Sequence, residues 1–375
     1  MRLLPLSIAC AHSRSTGERL LMRIALDQLS LSGPGADRGL GRYAATIAAA
    51  AHSISGVSVV DLLGSARDNG ADFLAIQRQL NGMLPTPDLY HATSVHHLPL
   101  IKTSKWLCSI QDTIPLDLKQ YSKLGLKSRA LFLHARRSDR ILANSEFTAG
   151  RVHDKLAMPR ERIDICSLPV SEAFYHAPVE LPDTTREIDG LKYVVAMVDL
   201  RTPDPRKRFH WIPDVASSLA KDDIYTVIVG RGTSAFPHTD HVLTFENLTD
   251  PELASVYKNA VAFYYPSAYE GQGMPPLEAM AAGAPIIAFR NSAITEMVSE
   301  PTFLLEDPSP WTEDNLHSAL PPAVRERIVA QVRLWATNDD ELRDARGKAA
   351  AASHRFDGSE FRQQLVSAYM KFDSP

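Results

Sequence analysis

The sequence predicts an α/β protein made of two doubly wound parallel-sheet domains that face each other across a cleft. Three observations predict it. The 375 residues exceed what one such domain needs. Short apolar runs alternate with helical segments along both halves, the pattern of repeated βαβ units. Finally, residues 261–289 read as strand, glycine turn, helix and strand, which aims a helix N-terminus at the space above the carboxyl ends of the strands.

Composition narrows the class. Apolar residues make up 45% of the chain, so each half can bury a core. The net charge of −4 gives no sign of a nucleic-acid partner. Cys10, Cys108 and Cys166 lack metal-ligand spacing and fit free thiols in a reducing cytoplasm. No apolar stretch has the length of a transmembrane helix. Leu3–Cys10 is apolar behind a single Arg2, too short and too weakly basic for a signal peptide. Residues 1–21 are therefore expected to be a disordered extension, or translated from an upstream start, with Met22 opening strand one.

The first domain is expected over residues 22–175. Arg23–Asp27 is its first strand. A glycine-bearing loop from Ser32 to Tyr43 follows, with Gly39 and Gly41, then an alanine-rich helix over 44–52. Strands are expected at Val57–Leu63, from Asp88, at Trp106–Ile110, after Arg140 and at Ile163–Leu168, with a helix at 71–80. The strand ending at Gln111-Asp112 places a polar pair at a carboxyl end, where open sheets bind ligands; Asp112 reads equally as a loop cap. Ser122–Arg140 reads as a helix with Lys123, Lys127, Arg129, Arg136, Arg137 and Arg140 among leucines. Such a face is a candidate for an anionic membrane surface, though a solvated surface helix explains it more simply. Ser145 is placed to cap the next helix.

Prolines at 178 and 182 among several acids mark residues 176–190 as a linker. The second domain is expected over 191–357. It restarts with a strand at Lys192–Val198, a proline-bearing loop holding Arg206-Lys207-Arg208, and a helix to Ala220. Strands follow at Tyr225–Gly230 and from Val242, and Thr249-Asp-Pro-Glu252 opens a helix as a capping box. Residues 358–375 form a last helix.

Between two further strands lies Glu270-Gly-Gln-Gly-Met-Pro-Pro-Leu-Glu278-Ala-Met-Ala-Ala-Gly-Ala-Pro285. Pro275 and Pro276 suit the first positions of a helix, where a missing N–H costs nothing, and Gly283 ends it. The free N–H groups of Gly273 and Met274, with the helix dipole, suit a diphosphate, and Gly271 and Gly273 let backbone approach it. Glu270 and Glu278 flank that anion site, so their natural partners are sugar hydroxyls. An α/β crossover without a ligand does not call for both glutamates and both glycines.

This run resembles the Glu-x7-Glu signature of retaining GT-B glycosyltransferases of family GT4, and the resemblance extends over nearly all of residues 22–371. It implies two Rossmann-like domains, with Glu270 on donor-sugar hydroxyls and Glu278 on the nucleoside ribose. It implies that Gly39 and Gly41 approach the donor phosphate from the first domain. Arg206 and Lys207 match the family's diphosphate-holding cations, but Val198-Asp199 stand where the family has glycines. Gln111-Asp-x-x-Pro115 is similar to a family element that carries histidine at the first position. A glutamine donates and accepts hydrogen bonds but carries no proton at neutral pH, so no base acts there. The loop at Asn247 corresponds to one flanking the nucleobase, Gln272 and Met274 fall inside the donor turn, and the last helix is implied to cross back to the first domain.

The reading is a retaining hexosyltransferase, cytoplasmic or peripheral at the inner membrane face. It would move a sugar, mannose by resemblance, from a nucleotide-diphosphate donor to a glycan or lipid-linked acceptor in surface polysaccharide synthesis. Glu270, Arg206, Lys207 and Asp112 are the candidate catalytic residues. No Asp-x-Asp occurs, so neither metal nor cofactor is expected. A non-catalytic nucleotide-sugar or glycan-binding protein and a nucleotide-sugar epimerase remain as alternatives.

Overall fold

The computed structural model describes residues 22–31, 39–62, 73–118, 121, 125–237 and 239–372. Among these, the strands form two six-stranded sheets. The first has the order β2-β1-β3-β4-β5-β6, with β1 Met22–Asp27, β2 Val57–Leu62, β3 Leu89–Ala92, β4 Lys105–Ile110, β5 Arg140–Ala143 and β6 Ile163–Ile165. The second has the order β12-β11-β10-β7-β8-β9, with β7 Tyr193–Asp199, β8 Tyr225–Arg231, β9 Val242–Glu246, β10 Ala262–Tyr265, β11 Ile286–Arg290 and β12 Leu304–Glu306. Neighbouring strands pair in parallel throughout. Parallel sheets need both faces covered, which is why the strands are runs such as Tyr-Val-Val-Ala-Met-Val with little polar alternation. The expected doubly wound α/β architecture is therefore present in both halves.

The first half carries helices α1 Gly39–His52, α2 Phe73–Gly82, α3 Ile114–Asp117, α4 Gly125–Ala135, α5 Glu146–Leu156 and α6 Glu172–Tyr175. The second carries α7 Ile212–Leu219, α8 Asp250–Asn259, α9 Met274–Ala281, α10 Ile294–Met297, α11 Pro322–Thr337, α12 Asp339–Ser353 and α13 Ser359–Met370. Ser145 caps α5 by accepting from Thr148 N at 3.0 Å, and Thr249 with Glu252 forms the capping box of α8. The last helix, α13, lies on the first sheet: Phe361, Leu365 and Tyr369 share a core with Ile24, Leu26 and Ile47. The Tyr369 hydroxyl also meets His91 Nδ1 at 2.9 Å.

Strand order reverses between β1 and β3 in one sheet and between β7 and β10 in the other. Those two crevices, above the strands' carboxyl ends, are where open sheets hold ligands.

Several expected elements move. Helix α1 begins at Gly39 rather than Ala44, so Gly39 and Gly41 lie in its first turn instead of a loop. Residues 176–190 are not a free linker, because Thr185 and Ile188 are fully buried and Ile188 joins Phe174 in the second core. Prolines shaped that segment without excluding it: its acids face out while Ile188 turns in. The basic helix ends at Ala135, and Arg140 instead opens β5, bound to Asp164 at 2.6 Å. The expected extension at 1–21 and loop residues 32–38 lie outside the described residues. No described helix is long and apolar enough to cross a membrane.

Candidate active site

The turn between β10 and α9 builds the first part of the site. Gly273 sits before α9 with φ +90°, a left-handed conformation that favours glycine. Pro275 and Pro276 follow Met274, so of the helix's four unbonded N–H positions only those of Gly273 and Met274 carry a hydrogen. Beside them, Glu270 is almost fully enclosed. Its Oε1 receives Lys207 Nζ at 2.5 Å, the Tyr265 hydroxyl at 2.6 Å and Ser267 Oγ at 2.6 Å. Arg206 Nη1 reaches its Oε2 at 3.0 Å. Burial pushes this carboxyl upward, but Lys207 and Arg206 outweigh burial and hold it at about 2. Burial likewise lowers the Lys207 ammonium pKa, against the pull of Glu270. Arg206 also donates to the Tyr269 carbonyl at 2.7 Å and to Asp204 at 2.8 Å. The three residues expected to hold sugar and diphosphate thus form one cluster at the β7/β10 crevice, partnered with each other. The loop before them lacks the family glycines because β7 runs on through Asp199, whose carboxylate takes Thr202 and Arg231.

Glu278, one turn into α9, marks the other end. Its side chain is 4% exposed, and burial pushes its pKa up to about 7, with Asp250 acting in the same direction and Arg42 against it. Arg42 comes from the first turn of α1, across the cleft. Its Nη2 stands 3.4 Å from Glu278 Oε1 and 3.4 Å from Asp250 Oδ2.

Two residues of the donor turn do something the sequence did not suggest. A Cβ on Gly271 would lie 1.8 Å from the Gln111 carbonyl oxygen, so this glycine is required by the approach of the two lobes. Its own carbonyl accepts Ser145 Oγ at 2.5 Å and Thr148 Oγ1 at 3.2 Å. Gln272 was expected on the donor, but its amide is taken up by Leu168: Oε1 accepts Leu168 N at 3.0 Å and Nε2 donates to Leu168 O at 2.9 Å. Both residues join lobes. The Tyr269 hydroxyl continues that seam, donating to Asp117 at 2.7 Å, and its ring packs with Ile114, Leu118 and Leu316. Glu296 on α10 closes the seam by accepting from Glu146 N and Phe147 N, at the start of α5, at 3.2 and 3.1 Å.

The first lobe contributes a cavity of about 440 Å³ over the carboxyl ends of β3 and β4, lined by Gly39, Leu40, Ser94, His96, Gln111 and Phe132 among others. Gln111 Nε2 is buried there with no hydrogen-bond partner. Asp112 uses Oδ1 to accept Ile114 N at 3.0 Å, so it serves as the loop cap that was one of its two equal readings; burial raises its pKa and Arg206 opposes the rise. Sequence reasoning missed Asp27, fully buried at the end of β1, which accepts from Thr93 Oγ1 at 2.7 Å and meets His97 Nδ1 at 2.6 Å. An acid closing the first strand of a doubly wound sheet was the available signal. Asn247 stands exposed on the loop after β9 with φ +58°.

The family model described as glycosyl transferases group 1 matches residues 192–317, the part of the chain that holds the Glu270 cluster and Glu278. Over those residues the chain is similar to that family, and its two parallel sheets have the GT-B fold. Its GT-B neighbours include the Anabaena protein HepE, solved in complex with UDP and glucose, with a TM-score of 0.67 and 15% identity over 93% of this chain and 99% of that one. Among curated proteins, the chain is 27% identical over 150 residues to O-antigen chain mannosyltransferase B of Escherichia coli, which is 40% of this chain and 34% of the relative. It is 25% identical over 214 residues to the serotype-specific mannosyltransferase WbdA of Escherichia coli, 52% of this chain and 26% of that protein. The chain thus matches about a third of the first relative's length and a quarter of the second's.

Proposed function

We propose that the protein is a retaining glycosyltransferase that moves a hexose, mannose by preference, from a nucleotide-diphosphate donor to a glycan or lipid-linked acceptor. The observation that carries this reading is the meeting, at one crevice, of the Glu270–Arg206–Lys207 cluster, the two amides at the start of α9, and Glu278 one turn beyond. The relatives' names, an O-antigen chain mannosyltransferase and a serotype-specific mannosyltransferase, favour mannose and a surface polysaccharide. In this reading the Gly273 and Met274 amides with Arg206 and Lys207 stabilise charge growing on the leaving diphosphate, the electrostatic contribution expected to dominate. Glu270, held ionised, accepts from donor-sugar hydroxyls, and Glu278 accepts from the ribose. Every base candidate at Gln111 is absent, and Glu270 is occupied by two cations, which disfavours it as a covalent nucleophile. Substitution on one face, with the departing phosphate oxygen taking the acceptor's proton, fits these residues better. The acceptor enters through the first-lobe cavity, where Gln111 Nε2 offers an unused donor.

The decisive experiment begins with thermal shifts against a panel of nucleoside diphosphates. The matching sugar donor is then assayed for hydrolysis and transfer, with product configuration read by NMR. Turnover that survives EDTA and gives a retained anomer supports the reading; an inverted product, or activity restored only by a divalent ion, overturns it in that respect. Gln111 favours a second reading, a nucleotide-sugar-binding protein without turnover, which any transfer in vitro excludes.

Peripheral membrane contact belongs to the same proposal, on a face that keeps Leu133, Arg136 and Arg137 of the expected basic stretch and adds Leu100, Ile101 and Lys102. Leu100, Ile101 and Leu133 are 48%, 63% and 59% exposed. They stand beside Lys102, Arg136 and Arg137, and Arg137 Nη1 ties the two segments by donating to Leu100 O at 3.2 Å. Apolar side chains ringed by cations suit an anionic bilayer. Sedimentation with anionic vesicles, lost in Leu100→Ser/Leu133→Ser, is the expected result; binding unchanged by these substitutions counts against it.

A further inference from the structure

The first turn of α1 raises a separate question, because its arginine spends its charge on the opposite lobe. We propose that Arg42 completes the nucleoside end of the donor site from the first lobe, as the charge partner that keeps Glu278 ready to accept hydroxyl donors. This inference rests on the reading of Glu278 as the ribose acid. It assigns Arg42 as a positioning residue that acts through Glu278.

The geometry is specific. Arg42 Nη2 lies 3.4 Å from Glu278 Oε1 and the same distance from Asp250 Oδ2, so one guanidinium spans two acids of the second lobe. The acids are unlike. Asp250, at the start of α8, is substantially exposed at 41%, whereas Glu278 is nearly enclosed. Water therefore solvates Asp250 but hardly reaches Glu278. The charged and titratable groups facing Glu278 are Arg42 from α1, Asp250 from α8, and the buried Tyr257 hydroxyl, also on α8. Of these only Arg42 is positive. Tyr257's hydroxyl is buried without a hydrogen-bond partner, so this corner supplies no second fixed donor in its place. Without Arg42, Glu278 would face Asp250's negative charge alone, from a buried position, and would hold a proton at neutral pH. A protonated carboxyl has lost part of its acceptor capacity, and hydrogen bonds to a charged acceptor are roughly twice as strong as neutral ones.

Arg42 approaches Glu278 Oε1 at 3.4 Å, longer than a close ion pair, which leaves the carboxylate able to take a pair of hydroxyls. The arrangement makes the donor site a shared property of both lobes. Arg42, supplied by the first lobe, offsets part of the cost of burying a charged second-lobe acid, so nucleoside binding and the Arg42 contact favour one another.

Calorimetric titration with UDP-glucose and GDP-mannose, whose diphosphate diesters keep a constant charge across the range, tests this from about pH 6 to about pH 8.5. Wild type, Arg42→Lys, Arg42→Gln, Glu278→Gln and the Arg42→Gln/Glu278→Gln double variant are compared with the tighter of the two donors. Arg42 is half exposed, so its replacement leaves the core intact. In wild type, affinity rises as pH passes through neutrality. Arg42→Gln weakens binding about tenfold near pH 7 and recovers most of it at the alkaline end, while Arg42→Lys stays within about threefold of wild type. Glu278→Gln flattens the pH dependence, and adding Arg42→Gln to it costs nothing further.

Three results overturn the inference alone, provided Glu278→Gln weakens binding. Tighter binding by Arg42→Gln would make Arg42 a plug that the donor displaces. An equal loss at every pH, or a further loss in the Glu278→Gln background, would make it a direct donor contact. If Glu278→Gln binds as well as wild type, or neither donor binds at all, the assignment of the donor site itself falls, and this inference with it.

Discussion

At the scale of single residues, the two glutamates of one nine-residue motif have opposite electrostatics. Glu270 is buried among cations and hydroxyls, and its carboxyl is held at about 2. Its folded pKa lies below the unfolded value, so its contribution to stability is present above roughly pH 4.5 and is lost as pH falls through about 2. Glu278 runs the other way. Its pKa is raised to about 7, so the ionised form is disfavoured by folding, and stability declines as pH rises from about 4.5 to about 7. Glu278→Gln is therefore expected to raise stability at pH 8 by on the order of 1 kcal/mol, seen as a higher melting temperature, while weakening donor binding. Thermal unfolding at pH 5 and pH 8 checks it, with the gain confined to the higher pH. For the cations, Arg206→Ala/Lys207→Ala should raise the barrier to transfer by about 2–4 kcal/mol if they stabilise the leaving diphosphate. That double variant also strips Glu270 of both charges, so Glu270→Gln is the needed companion: a full-rate double variant ends the assigned role. The motif's residue types were legible in the sequence. Their mutual pairing was not, since Arg206 and Glu270 come from loops after different strands.

At the scale of elements, the β10–α9 turn shows why spacing reveals a helix start but not what a glycine is for. The prolines, Gly273 and Gly283 placed α9 within a residue of where it lies. Gly271 reads from sequence as room for a phosphate, yet the space beside it belongs to the Gln111 carbonyl. That contact joins residues 160 positions apart, and no local pattern carries it. Gly271→Ala is expected to force the lobes apart while leaving each folded, at a cost of about 1–3 kcal/mol to the closed form. Small-angle scattering should show a larger radius of gyration and activity should fall steeply; an unchanged radius would refute the wedge. Similar logic explains the misplaced start of α1. Glycines at 39 and 41 resemble loop residues, but a helix tolerates them in its first turn, where the backbone is half solvated. The segment at 176–190 misled for the converse reason, because prolines and acids announce a loop while Ile188, fully buried, anchors it to a core.

At the scale of the whole molecule, the doubly wound architecture was readable from alternation alone, because parallel strands covered on both faces must be apolar throughout. The seam between lobes was not readable. Gln272 on Leu168, Tyr269 on Asp117 and Glu296 on the start of α5 join parts of the chain that only the fold brings together. Helix α13 shows the same principle at its longest range. It supplies Phe361, Leu365 and Tyr369 to a core begun by Ile24 and Leu26, whereas the second lobe's core is complete by Phe356. During synthesis on the ribosome, then, the half translated first must wait for the last helix to emerge before its interior is sealed. Stalled nascent chains ending near residue 357 are expected to resist protease over the second half while the first is still cut. Protection appearing there first would show that the early strands close without their late-arriving partner.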